Sequence, residues 1–187
     1  METGARTCSV RGSRRTLVPC MDFRILPIAE EHVEGFRTVL DSVARERRYL
    51  AFLEAPSLED LSAFVRRNIR NGYPAYVALV GDLVVGWCDA LPFERPTKAH
   101  GGVLGMGVKT EYRGAGIGRA LIQATLEGAR TAGLTRIELT VREDNERAIH
   151  LYRKLGFTHE GLKRNAVRVD GRYYNLVSMG LLLDEAI

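Results

Sequence analysis

The sequence is poor in the features that would direct it to a membrane, a secretory route or a metal. No apolar run approaches the ~20 residues needed to cross a bilayer. No short apolar stretch after Met1 has the form of a signal peptide, so a cytoplasmic protein without a membrane partner is the expectation. The three cysteines, Cys8, Cys20 and Cys88, are far apart and form neither a CxxC pair nor a His/Cys cluster. That pattern argues against a structural metal and fits a reducing compartment without disulfides. Excess charge is scarce too. The chain carries a net charge of +4, but Arg6, Arg11, Arg14 and Arg15 face only Glu2 in the first twenty residues, which leaves the remainder almost balanced. Beyond residue 21 there is no basic face interleaved with aromatic or helical readers, and nucleic-acid binding is not expected. Repeats and low-complexity segments are absent.

What is present suits one compact domain: 187 residues, 45% of them hydrophobic, are enough for a substantial core. Residues 1–20 lack hydrophobic periodicity and read as a disordered basic lead-in, with the domain occupying 21–187. A start assigned upstream of Met21 or a cloning remnant is the first account of that lead-in, and an organellar targeting peptide is the second.

From Phe23 to Ile28 the residues alternate as a strand, and Val33, Phe36, Val39, Leu40 and Val43 recur at helical spacing up to about Arg48. Ser57 with Asp60 predicts a helix start, with Leu58, Leu61, Phe64, Val65 and Ile69 facing inward and Asn71-Gly72 as the stop. The link between these helices holds Glu46, Tyr49 and Glu54. Tyr76–Val80 and Leu83–Asp89 flank a Gly81-Asp82 turn as a hairpin. Trp87 reads as core or pocket wall. Asp89 has two readings, a contact for a cationic amine or a solvated strand end; His100 reads as an ordinary loop histidine. A helix to Ala132, the strand Arg136–Val141, a helix capped by Asp144 or Asn145, and two extended segments joined at Asp170-Gly171 complete the chain.

The most informative stretch is Val103–Leu121. A short apolar strand, Val103 to Val108, leads to Arg113-Gly114-Ala115-Gly116-Ile117-Gly118-Arg119 at the start of a helix. Glycines free the backbone to curl, and the helix start adds unpaired N–H donors and a positive dipole end, which together make an anion cradle suited to phosphate. It is not a P-loop, because Arg119 and Ala120 stand where Lys and Ser/Thr are required; nor does it match the dinucleotide fingerprint, whose third small residue falls on Arg119. A flexible turn is the remaining alternative, against which the bracketing Arg113 and Arg119 speak.

Arg113 to Gly118 resembles the Arg/Gln-x-x-Gly-x-Gly/Ala signature of the GNAT superfamily of acyl-coenzyme A dependent N-acetyltransferases. A second block, Asn145 to Phe157, resembles the helix and Gly-Phe turn that follow in that superfamily. With the helix and strand between them the two blocks cover about a third of the chain.

The resemblance implies an α/β fold: a mixed, mostly antiparallel sheet of about seven strands with helices on both faces, the cofactor entering between the Val103–Val108 strand and Arg136–Val141. It implies acetyl-CoA as cosubstrate, with the backbone of Met106 and Val108 pairing with the pantetheine arm, the pyrophosphate at Arg113, Gly114, Ala115, Gly116, Ile117, Gly118 and Arg119, and Asn145 at the pantetheine. Tyr152 matches the tyrosine that protonates the leaving sulfur, although it also fits the apolar face of its helix. The acidic residue that several members carry on the cradle strand is absent, so no base is assigned, and a water held by Asp89, Glu111 or a carbonyl is the fallback. The implied reaction is acetyl transfer to a primary amine of a small molecule, with a protein amino terminus or lysine, or a non-catalytic acyl-CoA sensor, as alternatives. Tyr49 and Asp89 are the candidate acceptor contacts. The last strand with Leu181-Leu182-Leu183 suggests a homodimer surface, for which burial inside the monomer is the simpler alternative.

Overall fold

A computed structural model describes residues 22–183. The basic lead-in, Cys8 and Cys20 lie outside the described residues. Seven strands form one sheet in the order β1-β2-β3-β4-β5-β7-β6, made of β1 (Arg24–Pro27), β2 (Ala75–Val80), β3 (Leu83–Pro92), β4 (Gly101–Val108), β5 (Arg136–Arg142), β6 (Thr158–Val169) and β7 (Arg172–Leu182). Every pairing is antiparallel except β4 with β5.

The helices divide between the two faces. Val33, Phe36, Val39, Leu40 and Val43 of α1 (Val33–Ala44) and Leu61 and Val65 of α2 (Leu58–Asn71) pack with Val77, Val84 and Trp87. On the other face, Ile117, Leu121, Ile122 and Leu126 of α3 (Ile117–Thr131) and Tyr152 of α4 (Glu146–Lys154) pack with Cys88, Leu104, Ile137 and Leu139. The strand period of two thus sends Trp87 and Asp89 to the α1/α2 face, and Cys88 and Leu104 to the α3/α4 face.

Local signals account for most boundaries. Ser57 accepts from the Asp60 N–H at 3.1 Å, and Gly72 closes α2 in the left-handed region at φ 65°. Asp170 and Gly171 turn β6 into β7 at φ 49° and 80°. α1 ends at Ala44, four residues short of the expected stop, and Arg47 takes a left-handed φ of 54°. Leu58 and Ile69 are exposed, contrary to the helical-face reading, and Asn68 takes the inward place with its amide fully buried. Position 68 follows Leu61 and Val65 at spacings of seven and three, so geometry selects it despite its polarity.

The C-terminal expectation also changes. β7 lies between β5 and β6, Leu181 and Leu183 are buried, and only Leu182 is exposed. The outer strand on that side is β6, whose register breaks twice against β7 and whose bulged part carries Lys163 and Arg164. Bulges and charge blunt strand-to-strand pairing at that edge, so β7 offers no free edge for a homodimer.

Candidate active site

β4 and β5 start as neighbours and then separate. Their pairing covers only Gly101 with Arg136, Gly102 with Ile137 and Val103 with Glu138, although β4 continues to Val108 and β5 to Arg142. The Lys109 N–H bonds Val85 O on the β3 side, and His100 O accepts from Thr135 on the β5 side. Alternation from these two points turns the N–H and C=O groups of Leu104, Met106 and Val108 toward the gap beside β5. The chain therefore holds a wedge between two parallel strands, edged on the β4 side past Leu104 by the main-chain groups of Met106 and the N–H of Val108, while Val108 O is taken by the Arg113 side chain.

At the wide end of the wedge stands the glycine loop. Gly114 and Gly116 have φ of 95° and 89°, conformations that favour glycine. A Cβ on Gly116 would meet no atom within 4 Å, and no side chain caps α3 there. The first-turn N–H groups of a 15-residue helix thus face open space with the positive dipole end behind them. Gly118 brings α3 down onto β4, where an added Cβ would lie 3.4 Å from Met106 Cε. A strand-edge wedge leading to an anion cradle fits a long thioester cofactor with a pyrophosphate.

The acetyltransferase (GNAT) family model matches residues 37–157. The chain belongs to the GNAT acetyltransferase family. It is accordingly an acetyltransferase. The L-amino acid N-acetyltransferase AaaT of Escherichia coli is 30% identical over 153 residues, 81% of this chain and 94% of that one. The N-alpha-acetyltransferase RimI of Mycobacterium tuberculosis is 36% identical over 110 residues, 58% of this chain and 68% of that one. Among solved structures, yncA of Salmonella typhimurium with its cofactor acetyl-CoA has the same fold at a TM-score of 0.82, with 19% identity over 88% of this chain and 95% of that one.

Within this GNAT chain the sequence-derived residues fall into distinct places. Gly116 and Arg119 are exposed at the start of α3, whereas Ala115 packs against the core, Gly118 faces Met106 of β4, and the Ile117 side chain is 1% exposed and belongs to the core. The Arg113 side chain is turned away from the cradle. Its Nε donates to Val108 O at 2.8 Å, and its two terminal nitrogens donate to Glu46 at 2.9 and 2.5 Å. Asn145 caps α4, its Oδ1 accepting from the Ala148 N–H at 3.2 Å, and its amide N–H groups have no partner among the described residues. A cation that sequence reading missed is Arg147: a Cβ on Gly114 would stand 3.5 Å from its Nη2. Its position two residues after the Asn145 cap was the only available clue, because the approach of α4 to the loop is a tertiary contact.

Asp89 and Tyr152 occupy opposite faces of the sheet. Asp89 pairs with Gly105 on β4, two residues past the last β4/β5 bridge, and a Cβ on Gly105 would lie 3.2 Å from Asp89 Oδ1. The carboxyl thus lies over the point where β4 is bare and leaving β5. It is 8% exposed, and burial pushes its pKa up to about 7. The solvated strand-end reading fails for this residue. Next along the strand, Gly107 lies under Trp87, whose ring a Cβ there would overlap. Trp87 in turn packs 5.6 Å from Phe36 and walls the α1/α2 face.

Tyr152 is 7% exposed and lies edge-on to Phe157 at 5.7 Å. Burial raises its phenol above the ordinary range, so the hydroxyl keeps its proton at neutral pH. The Cys88 thiol is likewise pushed up by burial and stays a neutral, unreactive group. Tyr49 is half-exposed in the link after α1, with the Arg113 guanidinium 5.5 Å from its ring centre. His100 and Glu111 are exposed. Among the described residues there is no cluster of His, Cys, Asp and Glu that would hold a metal, and no helix is long and apolar enough to cross a membrane.

Proposed function

We propose that this protein acetylates the primary amine of a small molecule, using acetyl-CoA held in the β4/β5 wedge. The observation that carries this reading is the wedge itself, with the open backbone of Met106 and the Val108 N–H along one side and the uncapped α3 N-terminus at its end. In this arrangement Met106 and the Val108 N–H bind the pantetheine arm as a missing strand would, Gly114 to Arg119 receive the pyrophosphate on backbone N–H groups, and Arg147 adds charge beside Gly114. The Asn145 amide nitrogen reaches the same arm. Arg113 contributes by shaping the loop rather than by touching phosphate.

Acetyl-CoA supplies an activated thioester carbonyl when bound. The protein must then take a proton from the amine and give one to the departing sulfur. Asp89 is the base: it lies on the α1/α2 face beside bare Gly105, and a carboxyl with a pKa near 7 can accept a proton at physiological pH. It stands in for the acid that β4 lacks. Tyr152, on the other face with its phenol fully protonated, is the acid. Because the two groups lie on opposite faces of the sheet, one takes and the other gives without neutralising each other.

A small acceptor is favoured by the depth of Asp89 and by the walling of its face by Trp87, which leave little room for a chain. The span of AaaT matched, 94% against 68% for RimI, points the same way. A panel of amino acids and amino-acid analogues is expected to release coenzyme A thiol in step with N-acetyl product, while peptides with free amino termini or lysines stay at the background rate. Turnover of the peptides alone would overturn the small-molecule reading in favour of protein acetylation. Binding of acetyl-CoA without turnover of any amine would favour a sensor.

A further inference from the structure

The link between α1 and α2 is fastened to the cofactor loop by one side chain. Glu46 takes two hydrogen bonds from the Arg113 guanidinium, and its Oε1 also accepts from Thr110 Oγ1 at 3.0 Å. The pair is shielded, with side-chain exposures of 21% and 22%, unlike the chain's outer ion pairs. Arg113 is itself pinned to the end of β4 through Val108 O, and Tyr49 stacks on the same guanidinium. Arg47 follows Glu46 in a left-handed conformation that sends its side chain elsewhere: its Nη2 donates to Asp170 Oδ1 at 2.6 Å at the β6/β7 turn. Residues 46 and 47 therefore reach from the end of β4 to the β6/β7 turn and form a strap across the wide end of the wedge.

We propose that Glu46 is a positioning residue that couples occupancy of the cofactor loop to the order of this strap on the acceptor side. Arg113 is the first residue of the glycine loop, so whatever fixes Gly114 to Gly118 fixes the guanidinium that Glu46 and Tyr49 grip. The coupling is reciprocal: a strap held by Glu46 favours the ligand-ready loop, and a filled loop favours the closed strap. The acceptor side at Tyr49 is then completed only after the cofactor has bound. This inference rests on the cofactor reading above.

Amide hydrogen exchange with and without saturating acetyl-CoA separates the two. In the wild type, ligand is expected to slow exchange about tenfold or more both at 114–119 and at 46–55. In Glu46→Gln, which keeps the shape but loses the charge, protection at 114–119 is expected to persist while that at 46–55 falls below about twofold. Tyr49→Leu, which leaves the ion pair intact, is expected to give an intermediate loss and guards against a folding defect in the first variant. Protection confined to 114–119 in the wild type, or strap protection unchanged in Glu46→Gln, would overturn the coupling. No protection at 114–119 would instead overturn the cofactor reading.

Discussion

Replacing Asp89 by asparagine is expected to lower kcat about 100- to 10,000-fold, the range for loss of a positioned base. The wild-type rate should rise roughly tenfold per pH unit below pH 7 and flatten above it, following ionisation of a carboxyl whose pKa is about 7. The variant should lose that limb. The stability effect runs the opposite way. A folded-state pKa raised from 3.8 to about 7 means that the folded protein holds its proton more tightly than the unfolded chain. Stability is therefore fully present below pH 4 and is lost as pH rises through 7. The ionised carboxyl costs at most about 4 kcal/mol, because each pKa unit corresponds to ~1.4 kcal/mol. Asparagine removes that cost, so Asp89→Asn should melt higher than wild type at pH 8 and match it near pH 4. Thermal melts and pH–rate profiles check both halves. An unchanged kcat would remove Asp89 from the chemistry, and equal melting temperatures at pH 8 would show that it is hydrated.

Tyr152→Phe is expected to cost about 100-fold in kcat through loss of the proton donor, with little change in affinity for acetyl-CoA. Among the described residues no hydrogen bond involves the Tyr152 hydroxyl, and burial is the first cause of its raised pKa, so removing it breaks no internal contact. The ring and its packing on Phe157 remain. The melting temperature should stay level, which separates this variant from an ordinary core mutation. Steady-state kinetics and calorimetry check this, and a kcat within threefold of wild type would mean that solvent protonates the sulfur.

Local chemistry made much of this molecule legible. Gly114, Gly116 and Gly118 announced the cradle because a positive φ and a close helix approach leave few other residues, and Ser57, Gly72 and Asp170-Gly171 marked ends and turns for similar reasons. Alternation in Arg136–Val141 placed Ile137, Leu139 and Val141 correctly in the core. What escaped depended on contacts distant in the chain. Arg113 read as a phosphate ligand by its place beside the glycines, yet its partner Glu46 lies 67 positions away and turns it aside. Arg147 arrives at the loop only because α4 packs beside it. Asp89 read as the end of a hydrophobic hairpin strand, whereas β3 runs on to Pro92, and its burial follows from β4 presenting glycine opposite, a pairing that no short window contains. Leu58 and Ile69 misled because they lie at the margin of the α2 stripe, where helical spacing alone does not separate a core position from its flank.

The most direct test of the central claim, a coenzyme A site in the β4/β5 wedge headed by the glycine loop, is calorimetric titration of acetyl-CoA into wild type and Gly116→Asp. An aspartate there must adopt φ 89°, and it sets a carboxylate where N–H donors await phosphate. Micromolar binding to wild type, weakened about 100-fold or more in a variant with an unchanged circular dichroism spectrum, is the expected result. Equal affinity in both proteins, or no binding to wild type, would contradict it.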